Sequence, residues 1–356
     1  MKQLLDARLV VCVGPGGVGK TTLAAALALE NARRGRKALV LTIDPAKRLA
    51  DALGLDGLDD SIRTVPTGSG VLGAAMLDTK ESYDALMRRI VDPHHVERIL
   101  DNRVYRAFSK TLARSHAYVA AERLYDVLQG DWDHVVLDTP PTRSALEILD
   151  APGRLSQFLD DRVLRFFLSE RRARGTFASL TAMGGDAALR LLEKLAGEGI
   201  VTELVEFLRL LADQRDGFER RARATRAALH DPATAYALIA SPSHSTLHDA
   251  RYLAAQLRER GIQPRAVVFN RAYVAEPGRG GPLREPSTAR PSGLPGRLRD
   301  LRMLLIASQQ EAFERARALA IEAAPSAMPI AVASAARGPT TLDELGQLLA
   351  DIHPLA

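Results

Sequence analysis

The sequence predicts an α/β fold, a mostly parallel central sheet flanked by helices, with helical insertions forming a subdomain beside it. Short β-branched runs alternate with helical stretches, the pattern of parallel strands joined by crossover helices. Most of those runs are near-continuously apolar, as strands buried on both faces are. A glycine-rich turn, "GPGGVGKTT" from Gly14 to Thr22, joins the first run to the first helical stretch.

Taken in order, the strand signals fall at Arg8 to Val13, Lys37 to Ile43, Val71 to Asp78, Asp133 to Asp138, Ala235 to Ala240 and Arg265 to Asn270. Helical signals between them include Thr21 to Arg33, Leu247 to Arg260 and Glu311 to Ala323. Two stretches break the alternation. Residues 81–129 and 150–230 read as helix after helix, and in the second Val201, Leu204, Leu208 and Leu211 recur at helical spacing opposite Glu203, Glu206 and Arg209. We expect one phosphate-loop domain over 1–356, with these insertions as a candidate client- or partner-binding subdomain. Residues 275–297, rich in Pro, Gly and Arg, read as a flexible loop.

Composition narrows the class. Of 356 residues, 46% are hydrophobic and 26% charged, ordinary for a globular chain. No stretch runs about 18 residues without a charge or a proline, so a transmembrane helix is not expected. "MKQLLDARLVV" lacks the apolar core of a signal peptide, and the one cysteine, Cys12, rules out a disulfide framework. A cytoplasmic protein is expected. The net charge of +5 does not point to nucleic acid: the arginines alternate with Asp and Glu instead of forming basic blocks.

Gly14, Gly16, Gly17, Val18, Gly19, Lys20, Thr21 and Thr22 lie in a G-x-x-x-x-G-K-[ST] phosphate loop. Its glycines let backbone N–H groups turn onto a polyphosphate, Lys20 reaches the β- and γ-phosphates, and the Thr21 hydroxyl is placed to hold Mg²⁺. The loop also delivers the phosphates to a helix N-terminus, which favours anions. With a strand before and a helix after, the motif predicts binding of a nucleoside triphosphate.

Asp44, in "LTIDPAKRLADALG", reads as the N-cap of a helix with Pro45 at its first position, and equally as a group facing the phosphates to orient attacking water. Both roles can hold at once. Asp138 closes the run "HVVLD" and reads either as a cap on the next helix or as the acidic residue that holds Mg²⁺ through water. The upstream phosphate loop favours the magnesium role. His244 and His248 have metal-compatible spacing without an evident third ligand, and read as helix-start or surface histidines. Val163, Phe166 and Phe167 read as helix core, with a groove for an apolar client as the alternative.

The ordered set "GPGGVGKTT", "DPAKRLADALG", "LDTPPTRSALEIL", "VVFNR" and "MPIAVASAARGPTTLDELGQLL" resembles the arsenite-pump and tail-anchored-protein-targeting ATPase family. That family lies within the deviant phosphate-loop NTPases that include cell-division and partitioning ATPases. The resemblance spans Leu9 to about Leu349. It implies a Mg²⁺-dependent ATPase working as a nucleotide-driven dimeric switch, with Asp44 as the catalytic aspartate of the first switch and Asp138 as the metal-associated aspartate of the second. Asn270 falls on the adenine-reading asparagine, and the loop around Met328 and Pro329 on the segment that covers the base. It also implies a membrane-protein client or transporter as partner, and peripheral membrane location through that partner. An ATPase subunit docked on a transporter and a partitioning-type ATPase are the alternatives.

Departures from the family pattern matter as much. Pro15 stands where the family carries a lysine that reaches the partner's phosphates across the dimer interface. Either an arginine (Arg48 or Arg143) replaces it within a homodimer, or a lysine-bearing paralogue completes a heterodimer. The 275–297 loop has no cysteine, so the zinc staple of targeting-type members is not expected. Cys12 stands alone before the phosphate loop and reads as a buried structural thiol, so a thiolate metalloid site is not expected either.

Overall fold

The computed structural model describes all residues except 44–47, 78–81, 113–116, 161–198, 200–202, 205, 208, 211–214, 273–306, 309, 313, 323, 334–338, 340, 351 and 355–356. The chain divides into two compact units. One comprises Met1–Leu77, Gly130–Leu146 and His230–Ala356, the other Asp78–Gln129 and Glu147–Leu229.

The first unit is built on a nine-stranded sheet. Its strands are β1 (Leu9–Val13), β2 (Lys37–Thr42), β3 (Arg63–Pro66), β4 (Val71–Met76), β5 (His134–Asp138), β6 (Ala235–Ala240), β7 (Ala266–Ala272), β8 (Met328–Ala333) and β9 (Ile352–Pro354). The spatial order is β3-β4-β2-β5-β1-β6-β7-β8-β9. Every pairing from β4 through β8 is parallel, and only the outermost pairs, β3/β4 and β8/β9, are antiparallel. β1, β5 and β6 are buried at every position, which accounts for their unbroken apolar sequence. The sequence reading found the interior strands but missed β3, β8 and β9, which lie at the margins of the sheet.

Around the sheet run α1 (Lys2–Asp6), α2 (Lys20–Arg33) and α3 (Arg48–Leu53). In the second unit α4 (Ser82–Ile90), α5 (Pro93–Asp101), α6 (Arg103–Leu112) and α7 (Ala117–Gln129) follow one another without a strand. Then come α8 (Thr142–Asp160), α9 (Arg215–His230), α10 (His244–Glu259) and α11 (Leu342–Ala350). α2 is buried almost all round, packed on β2 and β5 and covered by α11. Its alanines allow that close approach, and a helix apolar on every side belongs inside. Arg33 near its end donates to the Leu342 carbonyl and to Asp343, fastening α11 over it.

In the second unit a buried polar network joins α7 to α9. The Arg221 guanidinium pairs with Glu122, which is 2% exposed, and with Asp126 at 2.6 Å, while lying over the Tyr125 ring. The Tyr118 hydroxyl donates to Glu122 at 2.7 Å. Burial and that neighbouring carboxylate push the Tyr118 phenol above its ordinary pKa, so it remains a donor.

At the start of β5, His134 is fully buried and its Nδ1 lies 2.7 Å from the Ala7 carbonyl. That contact places the proton on Nδ1, and Nε2 is buried with no hydrogen-bond partner among the described residues. Protonating Nε2 would bury an unsatisfied charged donor. Burial lowers the pKa to about 4, against the Ala7 bond, which favours the charged form. An imidazole whose folded pKa lies below its unfolded value contributes stability above the unfolded value of about 6.5. That contribution is lost as the pH falls from about 6.5 to about 4, and amounts to about 3 kcal/mol across the window. In urea titrations at pH 7.5 and pH 4.5, wild type should therefore lose more stability than His134→Gln; equal losses would show that His134 is not the group responsible.

Candidate functional site

The loop between β1 and α2 sits at the centre of the sheet, because β1 lies between β5 and β6, and the chain leaves β1 toward β2 but leaves the adjacent β6 the other way, toward β7. Ligands of open α/β sheets bind at such a point, outside the C-terminal strand ends. Glycine is required here for steric reasons. A Cβ on Gly14 would lie 2.1 Å from the Ile239 carbonyl oxygen, which β6 holds in place. Gly17 and Gly19 take φ of 75° and 89°, in the left-handed region that other residues avoid.

Lys20 is the first residue of α2 and is 7% exposed. Its Nζ donates to the Pro15 carbonyl oxygen at 2.8 Å, so the ammonium folds back across the loop. Thr21, 9% exposed, donates from Oγ1 to Asp138 Oδ2 at 2.7 Å. The same carboxylate oxygen accepts from Thr42 Oγ1 at 2.8 Å. Asp138 and Thr42 are fully buried. Their facing positions follow from register, since β2 and β5 pair Thr42 with Asp138, while β1 and β5 pair Cys12 with Asp138. Three strand ends and a helix N-terminus thus meet at one carboxylate. This is an all-oxygen donor set at the mouth of a phosphate loop, the kind that suits Mg²⁺, which takes one or two carboxylates plus phosphate oxygens.

The segment after β5 is tied to the loop. Thr139 donates from Oγ1 to the Cys12 carbonyl at 2.7 Å, and the Thr142 N–H points at the Gly14 carbonyl at 3.4 Å. Pro141 lies beside Gly16, its Cγ 3.6 Å from where a Cβ would stand. Arg143, next along α8, is exposed and makes no ion pair among the described residues.

From the far side Asn270, 8% exposed, donates from Nδ2 to the Val18 carbonyl at 2.8 Å. Cys12 is fully buried, and burial together with the nearby Asp138 carboxylate pushes its thiol well above its ordinary pKa. It is therefore a protonated core thiol at neutral pH, not a thiolate ligand.

Of the residues singled out from the sequence, Gly14, Gly16, Gly17, Val18, Gly19, Lys20, Thr21, Asp138 and Asn270 gather in this one region, and Thr22 follows in the first turn of α2. Pro329 does not join them. It stands inside β8 opposite Val267, three ladder positions short of the level of Asn270, where the sequence reading had placed a base-covering loop. The apolar run Met328–Ala333 forms a strand of the sheet instead, paired with β7 on one side and β9 on the other. His244 and His248 are exposed at the start of α10. Asp44, Lys47, Val163, Phe166, Phe167, most of the Val201–Leu211 stripe and the 275–297 segment lie outside the described residues.

Two contributors were missed from the sequence. Thr42 looked like an ordinary strand residue, and only the β2/β5 register shows that it faces Asp138. Pro15 reads from the sequence as a missing charge with a rigid φ, whereas in the structure its backbone carbonyl engages Lys20.

A family model described as anion-transporting ATPase matches residues 7–280. An arsenical pump-driving ATPase of Acidiphilium multivorum is 31% identical over 154 residues, covering 41% of this chain and 26% of that protein. One from Escherichia coli is 30% identical over the same length and shares. The matched region thus spans about a quarter of those relatives. ATPase GET3 of Malassezia globosa is 24% identical over 291 residues, 78% of this chain and 77% of that one.

Because Gly14 is hemmed by backbone, Gly14→Ala should lower the melting temperature by several degrees and abolish triphosphate binding. Gly57, with open space around it, provides the control: Gly57→Ala should leave both unchanged. A Gly14→Ala protein that binds triphosphate like wild type would mean that the loop approaches Ile239 less closely than described.

Proposed function

The chain belongs to the anion-transporting ATPase family, and we propose that it is a Mg²⁺-dependent ATP hydrolase acting as a nucleotide-driven dimeric switch. The observation that carries this reading is the meeting of Thr21, Thr42 and Asp138 at the mouth of a loop whose lysine folds inward. In this reading Lys20 and the loop amides hold the phosphates, and Thr21 with Asp138 holds the metal. Mg²⁺, when bound there, would neutralise the charge on the phosphates. Asp44 orients the attacking water. It follows Ile43 in the chain, and the Ile43 N–H donates to the Asp138 carbonyl at 3.1 Å.

The switch proposal rests on how directly these groups lead into helices. Thr42 precedes the segment running to α3, and Asp138 precedes α8. Loss of the γ-phosphate would act on both connections, the kind of local change that ordered switch segments amplify. For assembly we favour a dimer in which Arg143 supplies the charge absent at position 15. It stands beside the loop in the first turn of α8, where a cation opposes the helix dipole unless an anion is near. By likeness to pump-driving relatives, the partner is proposed to be a membrane transporter or a membrane-protein client. No helix among the described residues is long and apolar enough to cross a membrane.

Three measurements on the purified chain test this together: ATP binding, turnover with Mg²⁺, and mass by light scattering. Wild type should bind ATP and dimerise with it, and Lys20→Ala should lose binding. Asp44→Asn should bind but turn over at least a hundredfold more slowly. Arg143→Ala should cut turnover about as far while keeping ADP affinity, arginines on phosphoryl groups being worth about 10³ or more in rate. Wild type that binds no nucleotide would end the ATPase reading. Unaltered turnover in Arg143→Ala would leave that reading standing and move the missing charge to a paralogous partner.

A further inference from the structure

β7 breaks its ladder at the residue that reaches the phosphate loop. Its pairing with β8 runs in register from Ala266 opposite Met328 to Phe269 opposite Ala331, then shifts before Ala272 opposite Ala333. Inside the break Arg271 takes φ 57°, the only positive value outside glycine among the described residues. A side chain in the left-handed region is strained, and such strain is kept where surrounding contacts enforce it. The Arg271 N–H donates to Asn270 Oδ1 at 2.9 Å. Bulges of this kind re-aim a side chain. Here the result is that Asn270 spans past β6, which separates β7 from β1, to place Nδ2 2.8 Å from the Val18 carbonyl.

The consequence for the loop follows from peptide geometry. No cis peptide bond occurs among the described residues, so the Val18 C=O and the Gly19 N–H point in opposite directions from one plane. Drawing the carbonyl toward Asn270 turns the Gly19 N–H the other way, and the contact leaves no room for a Cβ on Gly19, which would stand 2.2 Å from Asn270 Nδ2. With Gly17 and Gly19 both left-handed, successive amides of the loop form a concave anion nest.

We propose that Asn270 is a positioning residue of the phosphate loop, holding the Val18–Gly19 peptide so that its N–H faces a polyphosphate whether or not a base is attached. This rests on the nucleotide reading above and deepens it. The two bonds leave Asn270 one amide N–H and one Oδ1 lone pair. The same side chain thus remains able to meet a base edge, and base and phosphate recognition share one residue.

Inorganic tripolyphosphate separates the two roles because it carries no base. Binding of Mg²⁺–tripolyphosphate and Mg²⁺–ATP is measured by calorimetry on the full-length wild type, Asn270→Ala, Asn270→Asp and Lys20→Ala. Hydrogen exchange of the ligand-free loop is followed in parallel. Asn270→Ala should weaken tripolyphosphate binding about tenfold, the worth of one lost hydrogen bond. Asn270→Asp keeps the size but sets a carboxylate oxygen against the Val18 carbonyl, and should weaken it further. In both variants the 14–20 amides should exchange faster than in wild type. Tripolyphosphate binding and loop exchange equal to wild type, with ATP binding alone reduced, would overturn the proposal and leave Asn270 a base reader. Failure of the nucleotide reading looks different, since wild type would then bind neither ligand, and loop exchange in the two Asn270 variants would still decide the positioning role.

Discussion

The arrangement depends on one carboxylate oxygen that accepts two threonine hydroxyls. Asp138 Oδ2 binds Thr21 at the start of α2 and Thr42 at the end of β2, and Asp138 itself ends β5. A buried carboxylate needs hydrogen-bond donors, so the two contacts at Oδ2 are conditions of the local fold as well as features of the site. They hold three elements at a common level. The register of β2 and β5 could slip by one residue only by turning Thr42 and Asp138 to opposite faces of the sheet. Core packing and site geometry are therefore specified by the same pairing.

The phosphate loop is held in a comparable way from two sides. Ile239 crowds Gly14 from β6, and Asn270 fixes the Val18 carbonyl from β7. Between these anchors Lys20 folds back onto the Pro15 carbonyl. That contact gives the ammonium a neutral partner, and a bound polyphosphate would have to offer a better one. The exchange is favourable for the usual reason, since a charged acceptor outcompetes a neutral carbonyl.

How much of this was legible in the sequence follows from where each signal resides. β1, β2, β5, β6 and β7 announced themselves because burial on both faces demands unbroken apolar runs. β3, with exposed Arg63 and Thr64, carries no such demand, and β9 is three residues long. β8 was hidden by Met328 and Pro329, which read as a loop. Pro329 is tolerated in the strand because a proline near a strand's first residue forfeits little of the ladder. The glycines, Lys20, Thr21 and Asp138 were readable because their spacing is itself the chemistry. Thr42 was not, because its role exists only through a parallel pairing between segments 96 residues apart in the chain. The Asn270 contact was equally hidden, since it depends on a bulge that no local pattern encodes.

Pro15 can now be explained in physical terms. Its side chain is buried, its fixed φ stiffens the entrance to the loop, and its carbonyl engages Lys20. A position packed in this way directs its side chain into the protein and contributes to the site through its backbone. In the proposed reading the positive charge absent at position 15 comes from a neighbouring segment of the same chain. Thr139 and Thr142 hold the start of α8 against this loop, and Arg143 follows directly, exposed, in a first turn that contains no acidic residue. The placement of a cation where the helix dipole disfavours one is understandable if an anion is its intended neighbour. On that argument the proline does not mark a degenerate site. On the proposed reading it marks one in which the added charge sits on the segment after β5, beside the phosphate loop.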